Sequence, residues 1–349
     1  MKNHWHIIGL MSGTSLDGVD IVFVHFQKEI SYSYNILAAE TIPYSPEWKN
    51  KLQQAFFSTG QELIQLHTDY GKYLGELVND FILKNKLAYP DFIASHGHTI
   101  FHNPSAGYTF QLGDGASLAQ TCQRTVVCDF RSQDVARGGQ GAPLVPMGDL
   151  LLFPEYDYCL NIGGFANISY NHNGVRKAQD ICPANILLNH YTRKINLEYD
   201  DGGEMARKGK INTALLQALN THPIYSKKDS LAFEIIVSDF IPLIDSFQMS
   251  IPDILRTLIE HISLKIKELV YPNTQVLVTG GGALNHFLME RIQHGISAKI
   301  TTPTSDLIHF KEALIFALLG LLKMENKINI LASVTGANRD HSGGIVYDY

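Results

Sequence analysis

Gly9-Leu10-Met11-Ser12-Gly13-Thr14-Ser15-Leu16-Asp17-Gly18-Val19-Asp20 is the stretch from which the architecture of this chain can be read. Upstream, Trp5 to Ile8 is largely apolar. Downstream, Val19, Ile21 and Phe23 alternate with Val22, Val24 and Phe26, so a turn joins two strands in a hairpin whose faces are both apolar and therefore buried. Gly13 and Gly18 permit positive φ and close backbone approach, while Thr14, Ser15 and neighbouring amides supply donors for phosphate oxygens. Asp17 would repel a phosphate chain unless a divalent cation lay between them, and Mg²⁺ held through waters and one carboxylate is the usual arrangement. The stretch thus predicts an Mg-nucleotide site, against the plainer alternative of a polar hairpin turn made of the residues that turns favour. Neither a Walker loop nor a dinucleotide fingerprint occurs elsewhere in the chain.

At 349 residues the chain exceeds one ordinary core and predicts two domains, and 45% hydrophobic with 18% charged residues is typical of a soluble globular protein. A formal charge of −6 and a pI near 6.2 argue against nucleic acid or an anionic membrane as partner and leave small molecules. Cys122, Cys128, Cys159 and Cys182 form no Cys-x-x-Cys pair, so buried reduced thiols in a cytoplasmic protein are expected. No signal-peptide pattern opens the chain, and the longest apolar run, Ala313 to Leu322, is too short to span a bilayer and reads as a core helix.

Beyond the first hairpin, a strand is expected near Tyr34 to Ala39, and Pro46 opens a helix. Leu63, Leu66, Tyr70, Leu74, Leu77 and Phe81 mark a helix over 61–86. Asp91 to Ser95 reads as a buried strand delivering Ser95-His96-Gly97-His98-Thr99-Ile100-Phe101-His102 to a loop. A metal reading of these histidines competes with polar lining of a pocket or satisfied structural histidines. Asp114 is placed to cap a helix over 116–121. Asp129-Phe130-Arg131 and the Gly- and Pro-rich stretch 138–146 carry Asp129, Arg131, Asp134 and Arg137, more charge than a passive hinge requires, so a ligand loop at a domain boundary competes with a linker.

Tyr158 to Tyr170 repeats the opening design, with Gly163 and Gly164 at the turn and the Asn161 and Asn167 amides at its mouth. Val276 to Asn285 sends a strand into a helix through Gly280, Gly281 and Gly282, where missing side chains let a flat adenine ring lie on backbone. Asp180-Ile181-Cys182-Pro183-Ala184-Asn185 opens a helix running to about Ile195, with Asp180 either its cap or a general base. Further helices are expected over 213–220, 230–240, 252–269 and 307–324, the last carrying Glu312 amid apolar neighbours, either at the edge of the apolar face or beside a sugar.

Two hairpin phosphate loops and a Gly-rich adenosine loop resemble the actin-like ATPase superfamily. The match narrows. The opening stretch is similar to the signature of the anhydro-N-acetylmuramic acid kinase family, and recurs with Ser95-His96-Gly97-His98-Thr99, the motifs at 111–114, 129–131, 138–144 and 161–168, and Thr279-Gly280-Gly281-Gly282, in order over nearly the whole chain. The family's Asp-Thr-Gly-Pro-Gly-Asn stands here as 180–185, its Gln in the histidine motif is His98, and its Pro-Lys-Ser-Thr-Gly segment is represented by Lys227 to Leu231.

The resemblance implies an α/β, two-domain actin-like (ribonuclease H-like) fold with the nucleotide in the interdomain cleft. Domain I would cover 1–132, with about 326–349 returning to it, and domain II 133–325. It implies a cytoplasmic homodimer that opens the 1,6-anhydro bridge of a cell-wall amino sugar with water while phosphorylating its 6-oxygen, in peptidoglycan recycling. ATP is then expected at Gly13, Thr14, Ser15, Leu16, Asp17, Gly18, Val19 and Asp20, at Asn161, Gly163, Gly164 and Asn167, and at Gly280, Gly281 and Gly282. Mg²⁺ is expected at Asp17 through water, the sugar at Thr99, Arg131, Glu312 and His98, and catalysis at Asp180. The rival class is a chaperone-like or actin-like nucleotide switch binding a protein partner. Such a switch would be expected to carry a client-binding region, whereas this chain ends at Tyr349 just after the last core elements.

Overall fold

The computed structural model describes residues 2–13, 16–226, 231 and 233–349, so Thr14, Ser15 and Lys227 to Ser230 lie outside the described residues. Two compact units make up the chain: Met1–Pro154 with Phe310–Tyr349, and Glu155–His309. The division expected between 132 and 133 thus moves to 154/155, and residues 310–325 join the first unit. The reason lies in buried contacts. Asp134, fully buried, accepts from Gly141 N (2.7 Å) and Thr335 Oγ1 (2.8 Å), and Lys311 pairs with buried Asp149 at 2.8 Å, so the Gly-rich stretch is tied into this core and is no hinge.

In the first unit, β1 (His4–Ser12), β2 (Gly18–Lys28) and β3 (Tyr32–Pro43) form an antiparallel meander, and β4 (Phe92–Asn103) lies parallel beside β1. The hairpin β5 (Tyr108–Leu112), the parallel strand β6 (Val126–Cys128) and the antiparallel edge strand β12 (Ile345–Tyr347) complete the sheet. In the second unit, β7 (Tyr158–Ile162), β8 (Phe165–His172) and β9 (Val175–Pro183) are antiparallel, and β10 (Gln275–Thr279) and β11 (Lys299–Thr301) add in parallel beside β7. Each unit therefore repeats one plan, three antiparallel strands followed by parallel strands added beside the first. The chain has the two-domain actin-like ATPase fold.

Hydrophobic patterning explains the elements. Val19, Ile21, Val22, Phe23, Val24 and Phe26 are all nearly inaccessible, so both faces of β2 are covered. The helix Gly60–Asn85 starts at a capping box between Thr59 and Glu62 and buries Tyr70, Leu74 and Phe81. Asp114 caps the helix Gly115–Cys122 through Ser117 N. The run Ala313 to Leu322 is buried within the helix Ser305–Met324, and no helix among the described residues is long and apolar enough to cross a membrane.

Two local expectations change. His96 to His102 is not a loop but part of β4, where pairing with β5 and a bulge at positive-φ Gly97 override the polar composition. Asp180 to Pro183 belongs to β9, and the helix begins only at Asn185. Asp180 therefore does not cap it. The carbonyls of Gly163 and Gly164 do, accepting from Asn185 N (3.2 Å) and from Ala184 N and Ile186 N (2.8 and 3.1 Å).

Candidate functional site

In the first unit, residues 13–17 link β1 to β2. Gly18 takes no positive φ; Leu16 does, at +59°, so the expected role of Gly18 in turning the chain falls to Leu16. Gly18 is needed for packing instead, because a Cβ there would sit 2.3 Å from Ile42 O. Asp17 is exposed, the side chain of Val19 is in the core, and Asp20 accepts from Thr41 Oγ1 at 2.6 Å.

Beneath this loop runs a buried chain of polar groups. Ser12 Oγ, the last side chain before Gly13, lies 2.8 Å from His98 Nδ1 and 2.6 Å from Tyr44 Oη, which meets Tyr70 Oη at 2.5 Å. Burial pushes His98 down to about 4 and Tyr44 up to about 12, so both are neutral at physiological pH. His98, 4% exposed, is turned into this network, whereas its neighbour Thr99 is half-buried.

Arg131 is held on two sides. Its Nε donates to His96 Nε2 (2.9 Å) and its Nη1 to Gly141 O (2.6 Å). Desolvation lowers it to about 10, opposed by Glu312 and Asp134. Glu312 keeps solvent access, yet the protein around its carboxyl raises its pKa by desolvation, against the pull of Arg131 and Lys311. Among the described residues no group of three or more His, Cys, Asp or Glu is gathered as a metal ion would need, and the three histidines of the motif are engaged with Arg131, Ser12 and Thr109 respectively.

In the second unit, Thr279, Asn161, Asn167 and Asp180 pair laterally across β10, β7, β8 and β9, forming one polar row. Thr279 Oγ1 approaches Asn161 Oδ1 at 3.4 Å, which leaves Asn161 Nδ2 on the Gly163 side, 3.5 Å from where a Gly163 Cβ would stand. Between Asn167 and Asp180 the register slips around Ala166, so Ile181 is a bulge residue, a common device for re-aiming a neighbouring side chain. Asp180 Oδ2 accepts from Leu231 N (3.0 Å), yet desolvation outweighs this bond and raises its pKa.

The glycines of this unit fall into two groups. Gly280 needs its φ of +82°, and a Cβ on Gly282 would strike Ile162 Cγ2 at 2.3 Å, so protein packing accounts for both. A Cβ on Gly163, Gly164 or Gly281 would meet only ordinary contacts at 3.5 to 3.7 Å. Nothing among the described residues demands glycine there; a ligand lying on bare backbone would. With the Asn161 amide beside them, this unit brings a donor and bare backbone together, chemistry that suits a phosphate chain; in the first unit, taken by itself, the exposed Asp17 carboxylate is of the kind that holds Mg²⁺ through water.

Sequence reasoning reached these positions through glycines, amides and carboxylates. It missed the roles of Ser12, Tyr44, Tyr70 and Thr279, which arise only where elements distant in the sequence meet; the helical spacing marks Tyr70 as buried but not as bonded.

The family model for anhydro-N-acetylmuramic acid kinase matches residues 5–349. Curated relatives bearing that name include those of Francisella tularensis subsp. novicida (32% identical; 97% of each chain covered) and Aliivibrio fischeri (35%; 97% of this chain, 98% of the relative). Among solved structures, the activator of the 2-hydroxyisocaproyl-CoA dehydratase from Clostridium difficile is similar at a TM-score of 0.45 and 15% identity, covering 90% of this chain and 93% of that one. With motifs and family model agreeing along nearly its full length, the chain belongs to the anhydro-N-acetylmuramic acid kinase family.

Proposed function

We propose that this chain uses ATP to phosphorylate the 6-oxygen of anhydro-N-acetylmuramic acid while water opens the 1,6-anhydro bridge, giving N-acetylmuramic acid 6-phosphate and ADP in peptidoglycan recycling. Asp180 is the general base. The observation that carries this role is a carboxylate beside a β-bulge whose pKa is raised by desolvation and which, among the described residues, accepts from the Leu231 amide and caps no helix.

The chemistry divides simply. Asp180 takes a proton from water as its oxygen bonds to the anomeric carbon. The bond from that carbon to the 6-oxygen breaks, and the 6-oxygen attacks the γ-phosphorus in turn. Phosphoryl transfer needs alignment and charge neutralisation more than side-chain chemistry. Asn161 and Asn167 offer amide donors, Gly163, Gly164 and Gly281 offer bare backbone, and Asp17 is the residue that would hold Mg²⁺. Mg²⁺, when bound, neutralises charge on the phosphate oxygens. Thr99, Arg131 and Glu312 bind the sugar, with Arg131 a pre-positioned cation and Glu312 an acceptor for sugar hydroxyls or a donor when protonated.

A cytoplasmic homodimer is part of this reading, from the family resemblance. The test is ADP release and phosphosugar formation across anhydrosugars, ordinary hexosamines and acetate. Turnover stimulated by anhydro-N-acetylmuramic acid supports it; ATP hydrolysis indifferent to every amino sugar overturns it.

A further inference from the structure

Two bonds to the protein fix the guanidinium of Arg131 in one plane. Arg131 stands at the start of the helix Ser132–Ala136, and the chain folds back so that Gly141 O accepts from its Nη1 at 2.6 Å. The second bond runs from Nε to His96 Nε2 at 2.9 Å. His96 is buried, and desolvation holds its pKa well below the usual histidine range. The ring is therefore neutral, and its Nδ1 donates to Gly97 O at 2.9 Å, which leaves Nε2 as the acceptor that Arg131 needs. With two nitrogens of a rigid fork held, the orientation of the whole group is set.

Gly141 is in turn fixed from behind. Asp134 is fully buried, and its Oδ2 accepts from Gly141 N at 2.7 Å. Its Oδ1 accepts from Thr335 Oγ1 at 2.8 Å, with His341 Nε2 further off at 3.7 Å. The loop can close on this carboxylate because residue 139 is glycine: a Cβ there would stand 2.2 Å from Asp134 Oδ2. Thr335, 1% exposed, holds the same loop a second time, through a carbonyl that accepts from Gln140 N at 2.7 Å. The bonds thus run in one order, from the Thr335 hydroxyl to the Asp134 carboxylate, then to the N–H of Gly141, and from the Gly141 carbonyl to Arg131. Charge follows the same route. Desolvation works against the positive charge on Arg131, and Glu312 and Asp134 support it. A tie made only for stability would need no arginine, since Asp134 and Thr335 would hold residues 139–141 whatever stood at 131.

We propose that Asp134 and Thr335 are positioning residues for Arg131: by fixing Gly141 they set the plane in which the guanidinium meets the sugar, while touching no substrate themselves. The inference rests on the anhydrosugar kinase reading with Arg131 in its sugar site. It adds two buried residues, one of them in the last turn of the helix Ala332–Thr335, that keep this cation in place.

The experiment measures KM for anhydro-N-acetylmuramic acid, KM for ATP and Tm in Thr335→Val, Thr335→Ser, Arg131→Ala and the double variant Thr335→Val with Arg131→Ala. Val removes the hydroxyl and keeps the branched shape, whereas Ser keeps the hydroxyl. Positioning gives a sugar KM about 10-fold higher in Thr335→Val with ATP KM unchanged, and a sugar KM near wild type in Thr335→Ser. It also gives no further rise when Thr335→Val is added to Arg131→Ala, because the two act as one unit. If the Val variant does not fold, Thr335→Ala carries the same comparison. A lower Tm with unchanged sugar KM in Thr335→Val, or an equal rise in KM with and without Arg131, overturns the proposal and leaves the kinase reading intact. Arg131→Ala with wild-type sugar KM removes Arg131 from the sugar site and the proposal with it, and turnover of no anhydrosugar removes both readings.

Discussion

The turn at residues 13–17 and the turn at 163–164 occupy the same place in sheets of the same plan, yet they are built from opposite materials. The first is longer, presents an exposed carboxylate at Asp17, and stands on a side-chain chain, His98 to Ser12 to Tyr44 to Tyr70. The second is two glycines whose carbonyls hold the start of the helix Asn185–Arg193. One fold unit thus offers charge through side chains and the other offers bare backbone. The first should fail when a functional group is removed, the second when a methyl group is added.

The largest effect should come from the row behind the second turn. Asp180→Asn is expected to fold and bind ATP but to lose roughly 10² to 10⁴-fold in kcat, read by ADP release at saturating sugar. Since desolvation raises Asp180 above 3.8, the folded protein holds this proton more tightly than the unfolded chain does. Ionising it costs stability as pH rises through the raised value, while catalysis requires the ionised form. The acid limb of the wild-type kcat profile should therefore lie above pH 3.8, and a limb at or below that value would remove Asp180 as the base.

Next is Asp17→Asn, which should slow turnover about 10 to 100-fold and shift the Mg²⁺ dependence to higher concentration while leaving KM for the sugar in place. An unchanged Mg²⁺ titration would make the first turn as passive as an ordinary hairpin.

The glycines sharpen the contrast. Gly282→Ala should destabilise by about 1 to 3 kcal/mol through overpacking against Ile162, seen as a lower Tm. Gly281→Ala has room for its methyl and should keep wild-type Tm but raise KM for ATP. Equal Tm loss in both variants would mean that protein packing, and not a ligand, explains all of these glycines.

The smallest effect is an absence. His98 titrates at about 4, so histidine ionisation beneath the first turn should leave kcat flat between pH 6 and 7, and NMR titration of this ring should show no midpoint near 6.5.

Periodicity and turn chemistry alone specified the buried hairpins, the helices at 60–85 and 213–220, the Asp114 cap and the glycine loops, because each depends on residues near one another in the chain. The same local reading put Asp180 at a helix start, since Asp followed by Pro suits one, and placed His96 to His102 in a loop, since its composition is polar. Strand pairing decided otherwise: β8 drew Asp180 into β9 beside a bulge, and β5 drew the histidines into β4. The unit boundary likewise moved because Asp134 bonds to Thr335 and Lys311 to Asp149, contacts between residues far apart in sequence. What the sequence determined was which segments must be covered and where bare backbone occurs. Tertiary structure alone decided which polar groups meet beneath the turns, because a hydrogen bond across the sheet depends on register, and register is fixed only when both strands are buried together.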